Sequence, residues 1–213
     1  MIGDLLALWI DQEMGLRTLE HLAIFGVSLM LVIPAGAAIG VLLYRRPHMA
    51  EVAFSWLNVV ETMPELALLV LLIPLVGIGT PAVIAACVLY SLLPVSRSAY
   101  TGLSHVRREF IEVGEALGLR ESEMLRYVRL PLSLPLLAGG IRIAVIFCMG
   151  IVPLGGLVGA GGLGAPLQAG ISFRNTPLIL LCSGWIAILA LLADGVVGAL
   201  ERGARRRYGG EDG

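Results

Sequence analysis

The sequence contains no lysine, and only 15% of its 213 residues are charged, against about 25% in a typical soluble domain. The missing lysine excludes a P-loop, whose GxxxxGK[ST] signature puts that residue on the nucleotide phosphates. ATP, if this chain depends on it, is therefore hydrolysed by another polypeptide. Cysteine is scarce: Cys87, Cys148 and Cys182 each lie in an apolar run, with no CxxC or Cys/His spacing. That excludes a disulfide framework or thiolate metal site and reads as small core residues. The three histidines, His21, His48 and His105, are scattered, and none neighbours a Ser or Cys in a nucleophile motif, so no catalytic constellation forms. No polar stretch is long enough for a soluble domain. No metal, organic cofactor or nucleic-acid partner is expected.

What the chain has in abundance is apolar sequence, with 57% hydrophobic residues and a mean hydropathy of +0.88. Runs of about 20 apolar residues, enough to cross the hydrocarbon of a bilayer as helix, occur near Leu22 to Leu43, Ala53 to Ile78, Pro81 to Tyr100, Leu136 to Val158 and Leu178 to Leu200. The expected fold is all-α, a polytopic membrane bundle of five transmembrane helices. Arginine is unevenly placed. Arg45 and Arg46 follow the first span, six arginines from Arg97 to Arg129 lie around the connection between the third and fourth, and Arg202, Arg205, Arg206 and Arg207 follow the fifth. The opposite loops hold only Arg17 and Arg174. By the positive-inside rule the arginine-rich side is cytoplasmic, which puts the N-terminus outside and the C-terminus inside.

Residues 1 to 20 have no basic leading region, and their short apolar stretch, Leu5 to Ile10, is followed by acids, unlike a signal peptide. They read as an interfacial helix anchored by Trp9. The chain then divides into a membrane domain over 21–200, with a loop over 104–135, and a basic tail over 201–213, whose last residues from Gly209 are expected to be disordered.

The loop is the most specific feature. Glu109 to Pro135 reads EFIEVGEALGLRESEMLRYVRLPLSLP. A helix is expected from Arg107 to Leu117, ended by Gly118 in the left-handed conformation a Cβ disfavours. A second short helix follows to Val128, and Pro131 and Pro135 are expected to prevent it from continuing. The order of Glu112, Gly114, Ala116, Gly118, Leu130 and Pro131 resembles the EAA loop of binding-protein-dependent ABC importers. The resemblance implies that these residues dock the membrane subunit on an ATPase. Val113 and Gly114 stand where the family usually has two alanines, and Arg120 where a Thr often caps the second arm.

The resemblance extends over about Leu22 to Leu200, carried by the run from Glu61 to Leu103, by LPLSLPLLAGGIR at Leu130 to Arg142 and by GAGGLG at Gly159 to Gly164. These look like permease subunits of osmoprotectant importers for glycine betaine, carnitine or choline. The resemblance implies ABC ATPase subunits, a second permease copy or paralogue, a separate extracytoplasmic substrate-binding protein and membrane lipid as partners, and the inner membrane as location. Permeases for methionine or another amino acid share the architecture. A secondary transporter would need no docking loop and usually shows internal repeats. A membrane-embedded enzyme would need acids or histidines clustered at one depth.

Gly159, Gly161, Gly162 and Gly164 formally satisfy GxGxxG, but a dinucleotide site needs a preceding strand and a later acid, and neither is expected. An outer gate at the end of the fourth span fits better, with loop flexibility as the plainer alternative. Glu61 and Glu65, with Thr62 and Pro64 between them, place two carboxylates in an apolar span, four residues apart and hence on one face of the second helix, with Pro64 expected to loosen the local hydrogen-bond ladder. They could draw a quaternary ammonium along a translocation pathway, or instead pair with Arg142 or Arg97. Asp194, in the last span, reads as a structural partner.

Overall fold

The computed structural model describes residues 2–208, and every regular element among them is helical. Helix α1 (Ile2–Asp11) turns at Gln12 and Glu13 into α2 (Met14–Leu43), which begins eight residues before the expected span. The Trp9 ring meets Trp185 edge-on at 5.1 Å, so the expected interfacial anchor also packs on protein.

The second apolar run departs from expectation. It forms two helices, α3 (Pro47–Thr62) and α4 (Glu65–Val76), that meet at 104°. The cause is Pro64, which has no N–H to bond back to Val60 and drives the residue before it out of helical geometry. Met63 is accordingly extended, with φ −72° and ψ 142°, and its N–H reaches the Val60 carbonyl at 3.2 Å. Glu61 therefore closes one helix while Glu65 opens the next, and the expected shared helix face does not exist.

Helix α5 (Thr80–Ser104) is the central element, packed against α2, α3, α4 and the helix of the fourth span. Small residues let these helices approach closely. A Cβ at Gly36 of α2 would lie 2.6 Å from Val95 of α5, and one at Gly102 of α5 would lie 2.7 Å from the Ser133 Cβ. The main apolar core joins Ile24, Leu69, Val83, Ala86, Cys87, Cys148 and Ile151, and Cys182 lies in a second cluster with Met14 and Leu178, so all three cysteines are core residues of the kind expected.

After α5 come α6 (Arg108–Ala116) and α7 (Glu121–Met124), a π-helical turn (Leu125–Arg129), α8 (Leu130–Ile151) and a 3₁₀ segment (Val152–Val158). From Glu121 to Val158 the chain is one helix of 38 residues. Pro131 and Pro135 thus do not interrupt it. Leu130 N–H bonds the Leu125 carbonyl five residues back, and this wider turn gives the Pro131 ring room where an ordinary turn would place a carbonyl. Pro135 lies inside α8, as proline can in a membrane helix whose neighbours stabilise the opened turn. Helix α9 (Gly164–Ser172) leads to α10 (Thr176–Tyr208), the last span, which carries the arginine cluster in its final turns. Residues 209–213, where a disordered tail is expected, lie outside the described residues. Among the described residues four helices are long and apolar enough to cross a membrane, or five spans if α3 and α4 together make one.

Candidate functional site

Three parts of the molecule carry the candidate residues: the elbow formed by α6 and α7, the break between α3 and α4, and the glycine loop before α9.

The elbow closes on Gly118. Its φ of 75° lies in the left-handed region, and around it Gly118 N–H bonds the Glu115 carbonyl at 2.9 Å and Leu119 N–H the Gly114 carbonyl at 3.0 Å. This paired pattern ends α6 without a side-chain cap. Gly114 is buried because the Met124 methyl fills the place of its missing side chain; a Cβ there would lie 2.5 Å from Met124 Cε. The alanine usual in the family would not fit that niche unless Met124 moved. Arg120 has no acceptor, so α7 starts on Glu123, whose Oε2 accepts the Arg120 backbone N–H at 2.7 Å.

Glu112 is exposed and accepts from Arg108 Nε at 2.8 Å, one turn back. Ala116, also exposed, ends α6 beside it, while Leu130 and Pro131 lie where the elbow enters the fourth span. Phe110, Val113 and Leu117 recur at helical spacing and are 41%, 59% and 74% exposed, leaving a largely exposed apolar stripe along α6 to its C-cap, with the Arg107 guanidinium over the Phe110 ring at 5.6 Å. Two contacts missed by the sequence reading hold the elbow to the bundle. Arg45, just after α2, pairs with Glu121, which raises the arginine pKa above its already high ordinary value. Arg129 donates to the Leu103 carbonyl at 2.7 Å and lies over the Tyr44 ring at 5.5 Å. Sequence spacing gives no signal for either, since the partners are 76 and 26 residues apart in the bonds concerned.

At the break, Glu61 and Glu65 are half-buried, Thr62 and Pro64 exposed. Thr62 Oγ1 turns back to its own helix, donating to the Val59 carbonyl at 2.7 Å. Among the described residues neither glutamate has an ion-pair partner, and the expected alternatives are otherwise engaged. Arg142 makes a two-pronged bond to Asp194 at 2.6 and 2.8 Å and reaches Glu201 at 3.4 Å; Arg97 lies over the Phe54 ring at 5.6 Å. Asp194 is thus the structural partner the sequence reading expected. The Tyr90 hydroxyl of α5, unremarked in the sequence, donates to the Met63 carbonyl at the break.

The glycine loop lies at the end of α5 opposite the elbow. Gly159, Gly161 and Gly162 all take left-handed φ values, 71°, 79° and 61°, conformations that favour residues without a Cβ. Glu20 of α2 accepts the Gly162 N–H at 2.9 Å and is itself held by Arg17 at 3.0 Å. Thr80 Oγ1 donates to the Ala160 carbonyl at 3.3 Å. A Cβ on Gly164 would collide with the Pro153 carbonyl. A 3₁₀ segment precedes the loop where a dinucleotide site would need a strand. The loop joins the ends of α2, α5, α8 and α9 in one packed turn.

The sequence profile of the family described as binding-protein-dependent transport system inner membrane component matches residues 32–206. The chain is 36% identical over 182 residues to the glycine betaine/carnitine/choline transport system permease protein OpuCD of Bacillus subtilis (strain 168), covering 85% of this chain and 79% of that one. It is 33% identical over 189 residues to the osmoprotectant import permease protein OsmW of Salmonella typhimurium (strain LT2), covering 86% and 88%. Among solved structures, a chain of the MetNI methionine ABC transporter in an inward-facing conformation superposes with a TM-score of 0.78 at 28% identity, over 88% of this chain and 94% of that one.

Proposed function

Because the chain belongs to the family of binding-protein-dependent transport system inner membrane components, we propose that it is the permease subunit of an ATP-driven importer carrying a quaternary ammonium osmoprotectant such as glycine betaine, carnitine or choline. The solute class rests on the names of the relatives. A permease of this kind is not itself an enzyme; ATP is hydrolysed by separate ATPase subunits. The subunit works as one half of a dimeric pore, with a second copy or a paralogue, and receives solute from a separate extracytoplasmic binding protein. The arginine asymmetry supports an orientation with the N-terminus outside and the elbow and C-terminus in the cytoplasm.

The exposed stripe of Phe110, Val113 and Leu117 carries the reading. An apolar face on a short, solvated, charged helix is a surface for another protein. Glu112 beside it supplies a charge, and Gly118 and Gly114 fix the angle at which the stripe is presented. Closure of the ATPases on ATP would push α6, and α5 and the helix from Glu121 to Val158 would carry that motion across the membrane. The glutamates at the break would meet the cation on its way, and the glycine loop would seal the outer end.

Glu112→Lys reverses a charge on the docking face without touching the core. It should leave the protein inserted while abolishing co-purification of the ATPase and solute uptake. Normal co-purification would overturn the docking role.

A further inference from the structure

The break between α3 and α4 is a weak point in a membrane helix. The last carbonyls of α3 have no following helical N–H to accept from, and Pro64 can supply none. In hydrocarbon such a group stays unsatisfied unless another part of the protein bonds it. At Met63 the donor is Tyr90. Among the described residues no other side chain hydrogen-bonds Met63 or Pro64.

Tyr90 is well placed to do more than satisfy a carbonyl. It is only 6% exposed, and its ring meets Phe147 of α8 edge-on at 5.8 Å. It sits on α5, which packs against both α3 and α4. Fourteen residues further along, about 21 Å at 1.5 Å per residue, α5 ends at the elbow, where Ser104 Oγ donates to the Tyr44 carbonyl at 3.2 Å and Arg129 holds Leu103. Glu61 lies two residues before the bonded carbonyl and Glu65 two residues after it. Whatever fixes Met63 therefore fixes the angle between the two carboxylates.

We propose that Tyr90 is a positioning residue for transport: its hydroxyl ties the α3–α4 break, and with it Glu61 and Glu65, to the helix that the elbow moves. This rests on the permease reading above. The hydroxyl makes the link, and the ring supplies only packing.

The test uses the whole transporter, with its ATPase and binding protein, in proteoliposomes. Tyr90→Phe removes the hydroxyl and keeps the ring; Tyr90→Leu removes both. Normalised to assembled complex, both should lower solute moved per ATP by about tenfold, the effect expected when a buried hydrogen-bond acceptor loses its donor. Half-saturation for loaded binding protein should stay unchanged. Combined with Glu65→Gln, the loss from Tyr90→Phe should be smaller than the product of the single losses, because both act through one geometry. Wild-type transport per ATP in Tyr90→Phe, with a loss confined to Tyr90→Leu, would reduce Tyr90 to packing and overturn the proposal. Multiplicative losses in the double variant would overturn its action through the carboxylates. A transporter that moves a different solute with the same dependence on the hydroxyl would correct the solute class and leave the role of Tyr90 standing.

Discussion

Arg142 and Glu65 both bring charge into an apolar span, yet their surroundings differ in kind. Arg142 of α8 faces α10 and is met there by Asp194 and Glu201, and Glu201, only 8% exposed, also accepts from Arg205 at 2.8 Å. Every member of that group is bonded within the protein. Glu61 and Glu65 have no such partner among the described residues and flank a helix break. A charge that the fold satisfies is held for structure. One that the fold leaves unpaired is the kind that the proposed function assigns to a visiting cation.

The sharpest way to break this contrast is Arg142→Leu. It strands Asp194 without its cation and leaves Glu201 only Arg205, and an unpaired charge within an apolar span is costly. Recovery of folded subunit from membranes should fall by about tenfold or more, and Arg142→Asp combined with Asp194→Arg should restore part of it. Equal yields for Arg142→Leu and the wild type would show the network to be dispensable. Glu61→Gln with Glu65→Ser should do the reverse, leaving yield and melting temperature in detergent near wild type while uptake in proteoliposomes falls about tenfold, as for the loss of one favourable charge contact. A drop in yield matching the drop in uptake would make these glutamates structural as well. The smallest effect is expected from Glu201→Gln, because the amide oxygen can keep the 2.8 Å bond from Arg205 and only the long 3.4 Å contact with Arg142 is lost. Its melting temperature should fall only slightly, and less than that of Asp194→Asn, which loses the two-pronged bond.

The membrane class, the spans and the elbow were legible because they are local. Hydropathy runs mark helices by composition, and Gly118 marks its turn because backbone geometry there tolerates little else. What the sequence did not disclose depends on distant partners or on the balance between neighbours. Three prolines illustrate this. Pro64 was expected only to loosen a helix and breaks it by 104°, whereas Pro131 and Pro135 were expected to end one and are absorbed by a π turn and by packing. The local rule is the same in all three places; the surrounding helices decide the result. Tyr90, Glu20 and Arg45 became visible as contacts only when helices remote in sequence were brought together. Glu61 and Glu65 were rightly singled out as charges in an apolar run, but their orientation could not be read past the proline between them.

The unbroken helix from Glu121 to Val158 has the length and continuity of a lever. At 1.5 Å per residue its 38 residues span about 57 Å, so each degree of tilt displaces one end relative to the other by about 1 Å. Its short arm is the elbow, where Arg45 and Arg129 provide the grip, and its long arm ends against the glycine loop. A tilt of a few degrees about the elbow end would thus shift Gly159 and its neighbours by a few ångströms. That gearing would let a modest domain movement in the cytoplasm open or shut the far side of the membrane.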